Sequence, residues 1–128
     1  MGKVSFDFDD TIDRFDVQVF ANSLVNKGYD VYIVTARPER YIGKFIGVPM
    51  PTNDAVFKVA EDVGIKTENI IFTAAADKIN YLAGKGFLFH LDDSDDELSK
   101  IRDSEDSCYP MSVDFADWES HLKEKFKL

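Results

Sequence analysis

The stretch Lys3-Val4-Ser5-Phe6-Asp7-Phe8-Asp9-Asp10-Thr11 runs from an apolar segment into three carboxylates. Residues 3–8 predict a short buried strand because they are mostly apolar. Alternation along such a strand would put Asp7 and Asp9 on one face, where two acids resist ionising together, and Asp10 on the other. This pairing is unfavourable as packing, and it is typical of a site that holds a divalent cation and a phosphate.

Length and charge limit the classes of protein. The 128 residues suit one domain over 1–128, and 15 basic against 24 acidic residues give a net charge of −9. An acidic surface repels nucleic-acid backbones and anionic membranes. The single cysteine, Cys108, excludes an internal disulfide and indicates a reducing cytoplasm and an inert core thiol. No apolar run approaches the ~20 residues of a membrane span, and we expect no signal peptide.

Strand and helix patterns alternate along the chain. Strands are predicted at residues 3–8, 30–35, 69–73 and 86–91, with an edge strand at 108–113. Helices are predicted at 15–27, from 53 or 54 to 64, at 78–85 and at 97–101, with a turn or short helix at 38–45 and a loop at 47–51. A last helix presents one apolar stripe, formed by Phe115, Trp118, Leu122 and Phe126. This alternation predicts a three-layer, Rossmann-like α/β fold: a parallel sheet of about five strands with helices on both faces.

Polar residues stand at or just past the ends of four predicted strands. In open parallel sheets, ligands bind beyond the carboxyl ends of the strands. We therefore expect these side chains to converge on one edge of the sheet: Asp7 and Asp9, Thr35, Thr73, and Asp92 with Asp93.

Such a set of residues suits phosphoryl transfer. A carboxylate can attack phosphorus and form an aspartyl-phosphate, and a second acid can protonate the leaving oxygen and later activate water. Mg²⁺ prefers oxygen ligands, and hydroxyls and a lysine can bind the remaining phosphate oxygens.

The order of these motifs resembles the haloacid dehalogenase (HAD) superfamily. Residues 7–11 (DFDDT) match its first motif, and Thr35 within VYIVTAR matches the second. Lys78, ahead of INYL, is similar to the third, and LDDSDDE at 91–97 is similar to the fourth. The resemblance spans residues 3 to about 97 and implies a Mg²⁺-dependent phosphomonoester hydrolase.

The resemblance implies a role for each matching residue. Asp7 would be the nucleophile and a metal ligand. Asp9 would be the general acid/base and would offer its backbone carbonyl to Mg²⁺. Thr11 would orient Asp9 and belong to the phosphate-binding residues. Thr35 would bind phosphate, while Lys78 would steady both the phosphate and the nucleophile.

The outer metal ligands and Arg37 stay open at this point. Asp92, Asp93 or both would complete the metal shell, with Asp93 preferred, and either Asp96 or Glu97 is a further candidate for the last acid. Arg37 is a candidate for contacting the substrate phosphate, and pairing with a surface acid is an equal alternative.

Many members of the family carry a cap domain, and here no segment is long enough for one. The resemblance therefore implies a capless member with an open site, which favours a macromolecular substrate or a lid supplied by a partner and leaves homo-oligomerisation open. A nucleotide or a polynucleotide end is the substrate expected by analogy. The net charge of −9 weakens the polynucleotide version, and a phosphoprotein or a small metabolite is an alternative.

Several alternatives accompany this interpretation. A catalytically inactive phosphate- or metal-binding relative keeps the same motifs, whereas a receiver-like domain fits poorly because its phosphorylated Asp ends the third strand. Tyr41 and Phe45 are candidates for stacking on a nucleobase, although core packing is favoured. His90 is expected to be buried and hydrogen-bonded, and His121 to lie on the surface.

Overall fold

A computed structural model describes residues 2–40 and 52–128. The loop predicted at 47–51 and the roles considered for Tyr41 and Phe45 lie outside these ranges, as does most of the turn predicted at 38–45.

The centre of the fold, over the ranges 2–40 and 52–128, is one sheet of five parallel strands. These are β1 (Lys3–Phe6), β2 (Asp30–Thr35), β3 (Ile70–Phe72), β4 (Phe87–Asp92) and β5 (Tyr109–Ser112). Their spatial order is β3-β2-β1-β4-β5, so β5 forms an edge as predicted. The predicted fold class is confirmed, and the main difference is that β1 ends two residues early, at Phe6.

In the described residues, five α-helices connect or follow the strands: α1 (Phe15–Asn26), α2 (Asp54–Val63), α3 (Ile79–Leu82), α4 (Asp95–Asp103) and α5 (Trp118–Phe126). The prediction for α3 was too long, since Gly84 already adopts a left-handed φ of 70°. The stripe predicted for the last helix was wrong at Phe115, which precedes α5 and is 47% exposed. Within the described ranges, none of the helices has the length and hydropathy that a membrane span requires.

Helices cover both faces of the sheet. On one face α1, α2 and α5 contribute Leu24, Val63 and Leu122 to the larger core. On the other face α3 and α4 contribute Leu82 and Ile101 to a smaller core. Between β2 and α3, the described residues 36–40 and 52–77 contain only α2, a short 3₁₀ turn and β3, so no cap domain is seen there.

A register shift between β1 and β4 determines which face of the sheet His90 occupies. Lys3 pairs with Phe87, but Ser5 pairs with His90, so β4 holds one residue more than β1 over this interval. Phe87 accordingly packs in the smaller core while Phe89 packs in the larger one. Beyond the shift, His90 faces the side of the sheet that α3 and α4 cover.

Candidate active site

A wide turn after β1 separates the acids of the first motif. The amide of Asp7 still donates to the carbonyl of Leu91 (2.8 Å), whereas the amides of Ile12 and Asp13 close the turn over residues 8–12. Asp7 is consequently buried, while the Asp9 side chain is 53% exposed. The prediction that strand alternation puts Asp7 and Asp9 on one face was therefore wrong, because the strand ends before either residue.

Lys78 lies at the centre of the candidate site. Its ammonium Nζ is 2.7 Å from Asp7 Oδ1 and 2.7 Å from Asp92 Oδ2, and all three side chains are buried. The amide of Lys78, directly before α3, donates to Glu97 Oε2 (3.0 Å). Acids from residues 7–11 and 91–97 thus meet on one lysine, Lys78.

Asp92 is hydrogen-bonded on both carboxylate oxygens. Its Oδ2 is 2.7 Å from Lys78 Nζ and 2.7 Å from His90 Nε2, and its Oδ1 accepts from the amide of Ser94 (3.0 Å). The other ring nitrogen of His90 is 2.8 Å from Ser5 Oγ. The prediction of a buried, hydrogen-bonded His90 is confirmed.

Three carboxylates form a possible cation site. One oxygen from each of Asp7, Asp92 and Asp93 lies within 4.8 Å of the others. An all-oxygen donor set of this kind fits Mg²⁺. Among the described residues this cluster does not extend to the other acids considered for the metal shell: Asp9 pairs with Arg37, Asp96 with Lys100, and Glu97 with the Lys78 amide.

The surroundings of Lys78 shift the pKa values of Asp7 and Asp92 in opposite directions. Burial, and then the charge of Asp92, raises the pKa of Asp7 to about 8, and Lys78 offsets only part of this. Burial also acts to raise the pKa of Asp92, but the hydrogen bond from His90 and the charge of Lys78 outweigh it, so that pKa is lowered. Burial lowers the pKa of His90, which favours its neutral imidazole. One proton is therefore held on Asp7 while Asp92 stays ionised.

Two of the predicted hydroxyl residues lie at the site with different contacts. Thr11 Oγ1 donates to Asp7 Oδ2 (3.3 Å), so the expectation that Thr11 orients Asp9 was wrong. Thr35 is fully buried at the end of β2, and its Oγ1 accepts from the amide of Arg37 (3.3 Å). Thr35 thus shapes the loop that carries Arg37.

Arg37 forms a two-pronged ion pair with Asp9. Its Nε and Nη2 donate to the two Asp9 oxygens at 2.9 Å and 2.7 Å, and its guanidinium lies 4.8 Å from the centre of the Phe8 ring. The pairing with an acid that was considered for Arg37 is thus present, and its contact with a substrate phosphate stays a prediction. The acid involved is the expected proton donor.

A strained turn after β3 borders the loop of Arg37. Ala74 and Ala75 adopt left-handed φ values of 51° and 67°, and their amides donate to the carbonyls of Arg37 and Ala36. The Thr73 hydroxyl before this turn is buried and has no hydrogen-bond partner among the described residues. Sequence reasoning missed this turn because alanine gives no signal for positive φ.

Sequence reasoning also missed Ser5. A signal was present, since Ser5 stands two residues before Asp7 and His90 two residues before Asp92. Strand alternation could therefore have suggested a polar pair beneath the acids. The predictions of a core position for Cys108 and a surface position for His121 are confirmed: burial raises the pKa of the Cys108 thiol to about 12, and His121 is exposed and stacks on Tyr109.

Comparison with known proteins adds no relative. No protein-family model matches the chain, and no curated protein and no solved structure matches it either.

Proposed function

We propose that this chain is a Mg²⁺-dependent phosphomonoester hydrolase of the HAD type, which acts through an aspartyl-phosphate on Asp7. The observation that carries the proposal is the buried Lys78 ammonium, 2.7 Å from both Asp7 and Asp92. It lies at the carboxyl edge of a parallel sheet, where ligands of such folds bind. A fixed cation beside a carboxylate suits stabilisation of the charge on a transferring phosphoryl group.

Asp7 and Asp93 are the residues that we propose as direct Mg²⁺ ligands, together with the backbone carbonyl of Asp9. We do not propose Asp92 as a direct ligand, because each of its oxygens already accepts a hydrogen bond, one from Lys78 and one from the amide of Ser94. When bound, the ion would supply positive charge to the phosphoryl oxygens and the attacking carboxylate. This division keeps Asp93 as the preferred ligand of the fourth motif.

The proposed reaction has two steps. An Asp7 oxygen forms a bond to phosphorus as the ester P–O bond breaks, and Asp9 gives its proton to the leaving oxygen. Water then attacks phosphorus, Asp9 takes a proton from it, and the bond between Asp7 and phosphorus breaks to release inorganic phosphate. Thr35, Arg37 and Lys78 are the proposed phosphate contacts.

Asp9 has to leave Arg37 before it can carry a proton, because both of its oxygens accept from the guanidinium. The phosphate of an incoming ester is an anion that competes for the same guanidinium. Substrate binding is thus the proposed event that releases Asp9. The same ion pair favours the alternative function, a phosphate- or metal-binding module without turnover.

The proposed substrate is a nucleotide or a polynucleotide end, and the net charge of −9 favours the smaller of the two. A phosphoprotein or a metabolite is the alternative. Support for a bulky or partner-covered substrate comes from the lack of a cap in the described residues 36–40 and 52–77. A second copy of the chain is one candidate for the lid. A cytoplasmic location is proposed from the lone cysteine.

The test is hydrolysis of 4-nitrophenyl phosphate with Mg²⁺ by the wild type, Asp7→Asn and Asp10→Asn. Asp7→Asn should abolish turnover because a neutral amide cannot attack phosphorus. Asp10→Asn is the matched control, since Asn tolerates the left-handed φ of 60° at this exposed neighbour. Chelation by EDTA should stop the wild-type reaction, and added Mg²⁺ should restore it.

Unaltered turnover in Asp7→Asn would refute the assigned nucleophile. Mg²⁺ binding without turnover on a panel of nucleotide, sugar, peptide and aryl phosphates would instead support the inactive binding module.

A further inference from the structure

A buried polar pair lies directly beneath the acids of the candidate site. Ser5 precedes Asp7 by two residues on β1, and His90 precedes Asp92 by two residues on β4. The strand register makes Ser5 and His90 direct partners, and both are fully buried. Ser5 and His90 therefore lie side by side in the sheet, each two residues before one of the acids Asp7 and Asp92.

In this pair, Ser5 donates a hydrogen bond to His90, and His90 donates one to Asp92. An ionised Asp92 can only accept, so His90 Nε2 must carry the hydrogen of the 2.7 Å contact. His90 Nδ1 is then an acceptor, and the Ser5 hydroxyl donates to it at 2.8 Å in preference to the Phe89 carbonyl at 3.3 Å. Asp92 thus selects the tautomer in which His90 donates to it, and the Ser5 hydroxyl holds the ring by completing the hydrogen bonding of Nδ1.

We propose that His90, oriented by Ser5, is a positioning residue that holds the Asp92 carboxylate and, through it, the Lys78 ammonium against Asp7. The catalytic consequence rests on the proposed function. The geometric part of the proposal does not rest on it, because the structure itself contains each contact from Ser5 through His90, Asp92 and Lys78 to Asp7.

The need for such an anchor arises from the changing charge of Asp7. Asp7 would attack as a carboxylate, after bound Mg²⁺ has displaced its proton, and it would then be an acyl phosphate, so its hold on Lys78 would change within one turnover. Asp92 keeps its charge throughout, and Ser94 fixes only its Oδ1. His90 is the further contact on Oδ2, beside Lys78, and it directs that oxygen independently of the reaction.

A purely packing role explains His90 poorly. His90 is fully buried on the side of the sheet that α3 and α4 cover, and an imidazole in such a position is costly unless both nitrogens are hydrogen-bonded. An apolar side chain would avoid that cost. One partner of His90 is instead an acid of the site, Asp92, and the other, Ser5, stands two residues before Asp7.

The variants that test this inference are His90→Gln, which keeps an N–H able to reach Asp92, and His90→Leu, which does not. His90→Leu should lower kcat by roughly 10- to 100-fold and change KM by less than about threefold, as is typical when a residue behind a site residue is lost. His90→Gln should recover kcat to within about fivefold of the wild type. His121→Leu, at the exposed histidine on α5, is the matched control and should retain full activity.

A second measurement does not depend on turnover. In protein labelled with ¹⁵N-lysine, the ammonium signal of Lys78 is identified by its loss in Lys78→Arg. We expect this signal in the wild type and in His90→Gln, because two charged hydrogen bonds slow its proton exchange. In His90→Leu it should broaden or vanish. Ser5→Ala, a milder change, should weaken it while the protein stays folded.

Each result decides a separate question. Absence of wild-type turnover on every ester would remove the proposed hydrolase, and the Lys78 signal would still decide the role of His90. A folded His90→Leu with an unchanged Lys78 signal would overturn the inference. So would loss of activity in His90→Gln equal to that in His90→Leu, since the retained N–H would then be irrelevant.

Discussion

At the scale of single residues, the carboxylates around Asp7 carry more charge than the one ammonium beside them. Two buried carboxylates, Asp7 and Asp92, contact one ammonium, and the carboxylate of Asp93 lies beside them. Buried charge without a partner is strongly unfavourable, so a proton or a bound cation has to supply the difference. In the metal-free protein the proton resides on Asp7, whose pKa burial and Asp92 raise to about 8.

Mg²⁺ binding should therefore depend on pH through Asp7. Below about pH 8 the ion has to displace the Asp7 proton, so affinity should rise with pH up to about 8 and level off above it. Calorimetry in two buffers of different ionisation enthalpy should detect release of close to one proton at pH 6.5 and almost none at pH 9. Equal affinity across this range would mean that Asp7 is already ionised without metal.

The stability of the metal-free protein should move in the opposite direction. Unfolded Asp7 loses its proton near pH 4, whereas folded Asp7 keeps it up to about pH 8. The folded state binds more protons in between, so this residue makes the protein less stable as pH rises from about 4 to 8. Urea unfolding of wild type and Asp7→Asn should show this slope only in the wild type.

The turn after β3 is the most strained short element. Ala74 and Ala75 both adopt positive φ, which costs roughly 1–3 kcal/mol for each such residue. Hydrogen bonds from their amides to the carbonyls of Arg37 and Ala36 hold the conformation. The turn thereby fixes the loop that carries Arg37, which links local strain to the proposed phosphate contact.

Ala75→Gly should stabilise the protein by about 1 kcal/mol. Glycine removes the steric cost of the φ of 67°, and this gain exceeds the added entropy of the unfolded chain, about 0.4–1 kcal/mol. Ala76→Gly, at a neighbour without positive φ, is the matched control and should destabilise by about 0.4–1 kcal/mol. Chemical denaturation measures both, and destabilisation by Ala75→Gly would show that the turn is not strained.

Elements with complete local signals were predictable. β2 spans Asp30–Thr35 as its β-branched run indicates, and α2 ends at Val63, before Gly64 with a φ of 94°. Elements that depend on distant contacts were not. β1 ends at Phe6 because the wide turn begins there, and α5 excludes Phe115 although its spacing fits the stripe.

At the scale of the whole molecule, parallel strands bring distant motifs together. β1 and β4 are neighbours in the sheet although Asp7 and Asp92 are far apart in sequence. The larger core on one face and the smaller core on the other, which contains Cys108, hold this arrangement. Integrity of the site therefore requires the sheet to be intact.

Cys108 should report on the opening of the whole sheet. The thiol is 2% exposed and burial raises its pKa to about 12, so a thiol reagent should label it roughly 10³-fold more slowly than the unfolded chain. Labelling should become fast at the urea concentration that unfolds the protein. Rapid labelling in native buffer would mean that β5 opens independently of the rest.

The sequence by itself determined the fold class, the sheet edge that gathers the acids and the burial of His90. The reason is that periodicity and the order of motifs can be read along the chain without knowing which residues touch. Tertiary structure decided which groups touch. The wide turn moved Asp9 to Arg37 and Thr11 to Asp7, and the extra residue in β4 aligned His90 with Ser5. A one-residue change of register reverses the face of every following side chain, and no residue pattern within one strand records the register of its neighbour.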